Sequence, residues 1–308
     1  MSETPTRKKR QSYDLVTAEA DYPAWPGSPK RTVIVCTQQR SGSTLLGEAI
    51  YFARALGCPL EYFHSGFRPG FAARWGTTTF RSYLDALYRF RTDASGTLSI
   101  KLFWIDVLRL VQELDAPLFD RIGHVDAPAI HDDTYRDIFR LLSELLPNPV
   151  LIFLTRRDCL RQAVSLSIAA QSRTWRWIPG KQSRDPSWKP KYDFGHLIWC
   201  VAAIQNNNRH WNNFFHANHI AALTVTYEDL AAGYGEQLRA VLAYLGRQSA
   251  PEVAPPRMRK QADSHSERFV ERFRQEFLRR TQEGRQQKLN EGAQRSSHHP
   301  AVTGLPNV

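Results

Sequence analysis

An open, mostly parallel α/β sheet with helices on both faces is the fold class that this sequence predicts, and three observations predict it. Short apolar segments at Arg31–Cys36, Leu98–Trp104, Val150–Leu154 and Ile220–Tyr227 alternate with stretches of helical periodicity. Parallel strands need long crossovers and cover on both faces of their sheet, so this alternation is their pattern. The first segment also runs through a polar turn, TQQRSGST, straight into a helical pattern. Lastly, Arg40, Glu61, Trp104 and Arg156 fall at or just after strand ends, where open α/β sheets bind their ligands.

Taken in order, residues 1–20 read as a mobile basic tail carrying RKKR at 7–10, and Pro23, Pro26 and Pro29 lead into the first strand. A helix follows from Thr44 to Ala55, with Leu45, Leu46, Ala49, Ile50 and Phe52 at helical spacing and Gly57 as its stop. Pro59–Phe63 reads as a short second strand, Phe67–Trp75 as a loop because of Gly66, Pro69 and Gly70, and Thr79–Phe90 as a helix. After Leu98–Trp104 come helical patterns at Val107–Glu113 and Tyr135–Leu146. Pro147-Asn148-Pro149 then breaks the chain and launches the strand Val150–Leu154.

Asp158 is suited to cap a helix running to Gln171, its carboxylate accepting the free N–H groups of the first turn. A Trp/Pro-rich loop, Trp175–Pro190, precedes a long helix at Gly195–His216, the strand Ile220–Tyr227 and a helix at Glu228–Leu245. One domain over 21–283 is expected, with a disordered tail at 284–308.

The 308 residues, 42% of them hydrophobic and eight of them Trp, suffice for one large core. The first residues lack the apolar run of an export signal, and the longest apolar stretch, Leu197–Ile204, is too short to span a bilayer; a cytoplasmic protein is expected. The four cysteines lack metal-ligand spacing, so neither disulfide nor metal site is expected. A net charge of +11 raises nucleic-acid binding, but much of the excess lies at 7–10 and 268–295, in stretches that read as solvated faces.

The turn after the first strand would present helix N-terminal amides and a cation to a phosphate. It is not an ATPase loop. That pattern opens on Gly and closes on Lys-Ser/Thr, whereas here Thr37, Gln38 and Gln39 open the turn and Arg40 precedes Ser41, Gly42, Ser43 and Thr44. A phosphate-bearing donor without Mg-ATP apparatus is the expected partner.

Five blocks carry a family resemblance: QQRSGSTLLGEAI at Gln38–Ile50, PLEYF at Pro59–Phe63, KLFW at Lys101–Trp104, TRRDCLRQAVSLSIAAQSRTW at Thr155–Trp175 and KQADSHSERFVERF at Lys260–Phe273. In this ordered set the chain resembles the bacterial carbohydrate sulfotransferases of the Stf0 type, which use 3′-phosphoadenosine 5′-phosphosulfate (PAPS). The resemblance implies a P-loop-like sulfotransferase fold and transfer of a sulfuryl group from PAPS to a sugar hydroxyl, without a metal. The acceptor stays open among trehalose, another glycoside, a glycolipid and a lipopolysaccharide sugar.

By the same resemblance, Arg40, the backbone of Ser41, Gly42, Ser43 and Thr44, and the Ser43 and Thr44 hydroxyls would hold the 5′-phosphosulfate. Arg156 or Arg157, with Arg156 the first choice, would hold the 3′-phosphate together with Ser165. Glu61 is the implied general base and His64 its rival. Lys101 is a candidate for orienting donor or acceptor oxygens, and Trp104, Trp175 and Trp177 for stacking on a sugar. For Trp104 core packing is an equal alternative. Related enzymes form dimers, so a homodimer is possible; no nucleic acid and no integral membrane segment are expected. The rival readings are a Mg-dependent kinase of P-loop type and a non-enzymatic basic nucleic-acid binder.

Overall fold

The structure, a computed structural model, describes residues 14–54, 56–123, 125–176, 188–247, 255–257 and 264–296, the last nine by backbone alone. Four parallel strands form its sheet: β1 (Arg31–Thr37), β2 (Thr97–Phe103), β3 (Pro149–Thr155) and β4 (Leu223–Thr226), in the spatial order β2-β1-β3-β4. Register is continuous across the centre, with Ile34 opposite Ile100 on one side and Leu151 on the other. Because side chains alternate along a strand, the sheet has two apolar faces.

On one face Ile34, Cys36, Ile100, Leu102, Leu151 and Phe153 pack into the larger core. It is covered by α3 (Phe80–Arg91), α4 (Trp104–Leu114), α6 (Asp132–Leu145) and α8 (Phe194–Ala217). On the other face Val33, Val35, Ile152 and Leu154 meet Leu46 and Ile50 of α1 (Ser43–Phe52) and Leu238, Val241 and Leu242 of α10 (Tyr234–Tyr244). The fold is thus the predicted α/β class, with every strand parallel and helices on both faces.

The elements differ from expectation at several places, each for a local reason. Residues 59–63 form no strand; Leu60 alone bridges Ile100, and the chain then turns, the His64 N–H donating to the Glu61 carbonyl. Residues expected as a loop form α2 (Arg68–Trp75): Pro69 sits in the first turn, where no N–H is needed, and Gly76 at φ 64° ends it. The last expected helix is divided by Gly233 into α9 (Tyr227–Ala232) and α10.

Residues 14–20, expected in the tail, form two 3₁₀ turns that bury Leu15 and Ala20 and accept hydrogen bonds from buried Arg91 through their carbonyls. The final helix, α11 (Ser264–Ser296), runs on past residue 284. Completing the set are α5 (Ala116–Asp120) and α7 (Cys159–Ser172). The rest of both tails, most of the 175–190 loop with Trp177, and Lys260 lie outside the described residues. Among the described residues, no helix is long and apolar enough to cross a membrane.

Candidate functional site

The turn between β1 and α1 is held from below. Thr37 ends β1 and donates to the Leu154 carbonyl at 2.7 Å, while its hydroxyl lies 2.6 Å from that of Ser41. Ser41 in turn donates to the Gln38 carbonyl at 2.7 Å, and Gln162 of α7 donates to the Gln39 carbonyl at 2.8 Å. These bonds turn the Ser41 hydroxyl inward. Gly42 caps α1 at φ 87°, and a Cβ there would come within 2.8 Å of the Tyr227 ring. Only glycine combines that conformation with that approach. The first amides of α1 lack intrahelical partners, and Gly42, Ser43, Thr44 and Leu45 line a cleft of about 540 Å³.

Arginines supply the cleft's charge. Arg40 donates through Nε to the Ser165 hydroxyl at 2.9 Å and through Nη1 to the Trp175 carbonyl at 2.5 Å, both neutral acceptors. Arg156, from the end of β3, lies 4.6 Å from the Tyr227 ring centroid, with its Nε 3.8 Å from Glu228. Burial pushes the Arg40 guanidinium down to about 10, and the nearby positive charges of Arg156 and Arg176 add to the shift. Burial also lowers Arg156. Guanidiniums crowded in this way favour a bound anion, since an anion between them relieves both desolvation and repulsion.

Arg157, the sequence alternative to Arg156, points elsewhere. It forks onto Asp229 at 2.6 and 3.1 Å and does not line the cleft. Asp158 caps α7 as expected, accepting from Arg161 N–H at 2.8 Å. The Arg161 side chain bridges Asp158 and Glu267, and so joins α7 to α11 along the cleft wall.

Beside the cleft lies a buried ion pair that the sheet register creates. Leu60 bridges Ile100, and the Lys101 N–H donates to the Leu60 carbonyl at 2.8 Å. One residue further along each chain, Glu61 Oε1 meets Lys101 Nζ at 2.8 Å. Gly47 makes room for them, since a Cβ there would approach the Pro59 carbonyl at 3.0 Å and the Lys101 stem at 3.5 Å. Glu61 Oε2 faces Arg176 Nη2 at 3.5 Å. Burial would raise the Glu61 carboxyl, but the charges of Lys101 and Arg176 outweigh it and hold the group below its ordinary value. Burial lowers Lys101 against the pull of Glu61.

His64 lies close by with a different capacity. Its Nδ1 accepts the Gly66 N–H at 3.0 Å, so the neutral ring carries its proton on Nε2. Burial also lowers its pKa. Asp106, at the start of α4, is buried and pushed up to about 7, mainly by burial, against the pull of Arg109 and with Glu61 adding to the rise.

The structure therefore brings Arg40, Gly42, Ser43, Thr44, Arg156, Ser165 and Trp175 to one cleft and sets Glu61 with Lys101 beside it. Trp104 is a correction. It is fully buried, stacked on His210 at 4.8 Å and edge-on to Trp211 at 4.9 Å, so no sugar can lie on its face. Trp175 is 45% exposed at the cleft. Sequence reasoning missed Arg176, Tyr227, Glu228 and Asp106. Tyr227 and Glu228 carried a usable signal, the one as the last residue of a predicted strand and the other directly after it.

Two curated relatives are both named trehalose 2-sulfotransferase. The one from Mycolicibacterium smegmatis is 29% identical over 80% of this chain and 95% of its own length. The one from Mycobacterium tuberculosis is 28% identical over 81% of this chain and 96% of its own length. The model of the Stf0 sulphotransferase family matches residues 32–276, and the chain belongs to that family.

Proposed function

We propose that this protein transfers the sulfuryl group of PAPS to a hydroxyl of a carbohydrate, with trehalose the first acceptor to test. The observation that carries the reading is the cationic cleft of Arg40 and Arg156, which adjoins the buried carboxylate Glu61 through Arg176. Its residues suit a nucleotide with two anionic groups: a glycine at which an added Cβ would strike Tyr227, helix amides, and two partly buried guanidiniums. The relatives' names supply the sugar.

In this reading Arg40 and the amides of residues 41–44 hold the 5′-phosphosulfate, and Arg156 with Ser165 holds the 3′-phosphate. Arg40 and Ser165 touch, as suits residues that serve two substituents of one ribose. The acceptor oxygen attacks sulfur, the bond from sulfur to the bridging phosphate oxygen breaks, and its electron pair leaves with adenosine 3′,5′-bisphosphate. Glu61 takes the hydroxyl proton. Positioning and charge stabilisation by the arginines and helix amides supply most of the remaining acceleration, as in phosphoryl transfer. Lys101 holds the Glu61 carboxylate in place.

Incubation with PAPS and trehalose, with other glycosides in parallel, tests the reading. Mass spectrometry is expected to show a sugar sulfate monoester and stoichiometric adenosine 3′,5′-bisphosphate, also in excess EDTA. Phosphorylation of the sugar by Mg-ATP with no turnover of PAPS would establish the kinase reading instead.

A further inference from the structure

Arg176 has no role in the reading above, yet its position is unusual: among the described residues it is the one that both lines the cleft and pairs with Glu61. Its contact with Glu61 is the looser of the carboxylate's two ion pairs, 3.5 Å to Oε2 against 2.8 Å from Lys101 to Oε1. The guanidinium also sits over the Phe67 ring at 5.1 Å. α7 is capped by left-handed Arg173 at φ 53°, so Arg176 stands on irregular chain three residues beyond that cap. The carbonyl of the preceding residue, Trp175, is held by Arg40. One donor-binding side chain therefore already grips the backbone that carries Arg176.

A single guanidinium placed between two anions must divide its hydrogen bonds between them. Oε2 is also the oxygen that the general-base reading requires, because Oε1 is committed to Lys101. We propose that Arg176 couples donor to base: it engages the sulfuryl oxygens of bound PAPS and in doing so loosens from Glu61, which frees Oε2 for the acceptor proton. This rests on the sulfotransferase reading and adds a sequence to it. The acceptor hydroxyl meets an available carboxylate only where a sulfuryl group is in place. As the oxygen–sulfur bond forms and the bond to the leaving phosphate breaks, Arg176 stays on the sulfuryl oxygens while the proton passes to Oε2, and charge and atoms balance without a further reactant. Once the sulfuryl group has gone to the sugar, Glu61 releases its proton to solvent and Arg176 returns to the carboxylate.

A binding cycle without acceptor tests this. Calorimetry measures PAPS and adenosine 3′,5′-bisphosphate on wild type, Glu61→Gln, Arg176→Gln and the double variant. Arg176→Gln is expected to weaken PAPS about tenfold or more, the loss of a charged contact, while the bisphosphate, which lacks the sulfuryl group, stays within about twofold. Glu61→Gln removes the competing anion, so PAPS is expected to tighten several-fold, and this gain is expected to vanish in the Arg176→Gln background. The bisphosphate affinities report that each variant is folded. Unchanged PAPS affinity in Glu61→Gln, or a gain that persists without Arg176, overturns the coupling. Failure of wild type to bind PAPS at all would instead overturn the sulfotransferase reading on which it rests.

Discussion

Glu61 and Lys101 face each other at 2.8 Å with side chains 6% and 1% exposed, and Lys101 is the nearer of the two cations that hold the Glu61 charge there. Removing one partner of a buried pair leaves an uncompensated charge, at a cost of about 3–5 kcal/mol. Lys101→Met is expected to lose stability of that order in denaturant titrations at neutral pH. The sign of its pH dependence follows. In wild type the folded carboxyl lies below its ordinary value, so its contribution is present above the unfolded pKa and fades as pH falls through the folded one. The gap between wild type and variant should narrow in acid. A gap independent of pH would show that the pair is not what is lost.

The two adjacent arginines after β3 are expected to behave differently. Arg156→Ala should weaken adenosine 3′,5′-bisphosphate by roughly 1.5–3 kcal/mol, the value of a lost charge-assisted contact. Arg157→Ala should leave that affinity unchanged, because its side chain is engaged with Asp229 away from the cleft. Calorimetry on both folded variants checks the contrast; the reverse order would exchange their roles.

Gly42→Ala should damage the cleft directly. An added Cβ at φ 87° strains the backbone and displaces the Tyr227 ring on which Arg156 rests. A loss of about 1–3 kcal/mol in stability, with weaker bisphosphate binding, is expected. Wild-type values in both measurements would contradict this account of the turn.

Asp106 gives the opposite pH signature to Glu61. Its folded carboxyl is pushed up to about 7 from an ordinary value of 3.8, so its ionisation costs stability as pH rises across that window. Asp106→Asn should therefore resist unfolding better than wild type at pH 8 by about 1–4 kcal/mol and converge on it near pH 4. Thermal melts across the window test this, and parallel curves would contradict it.

Much of this was legible in the sequence because it is local. Strand, turn and helix at 31–52 follow from β-branched residues, a Gly/Ser turn and apolar spacing, and Asp158 announced its helix. What was not legible depends on through-space neighbours. Pro69 and Gly70 look like loop punctuation until the helix they begin is seen. Trp104 at a strand end has the same local pattern whether it faces solvent or, as here, stacks on His210 from α8, more than a hundred residues later. Arg176 lies in an irregular stretch with no periodicity to mark it, and its partner Glu61 is 115 positions earlier in the chain.

The central claim is that Glu61, and not His64, takes the acceptor proton, and sulfuryl transfer to trehalose by Glu61→Gln and His64→Asn measures it most directly. Glutamine keeps the shape and cannot accept the proton, so kcat is expected to fall roughly 10²–10⁴-fold with bisphosphate affinity near wild type. His64→Asn is expected to have a much smaller effect, since neutral His64 presents an N–H at Nε2. An active Glu61→Gln beside an inactive, folded His64→Asn would contradict the account.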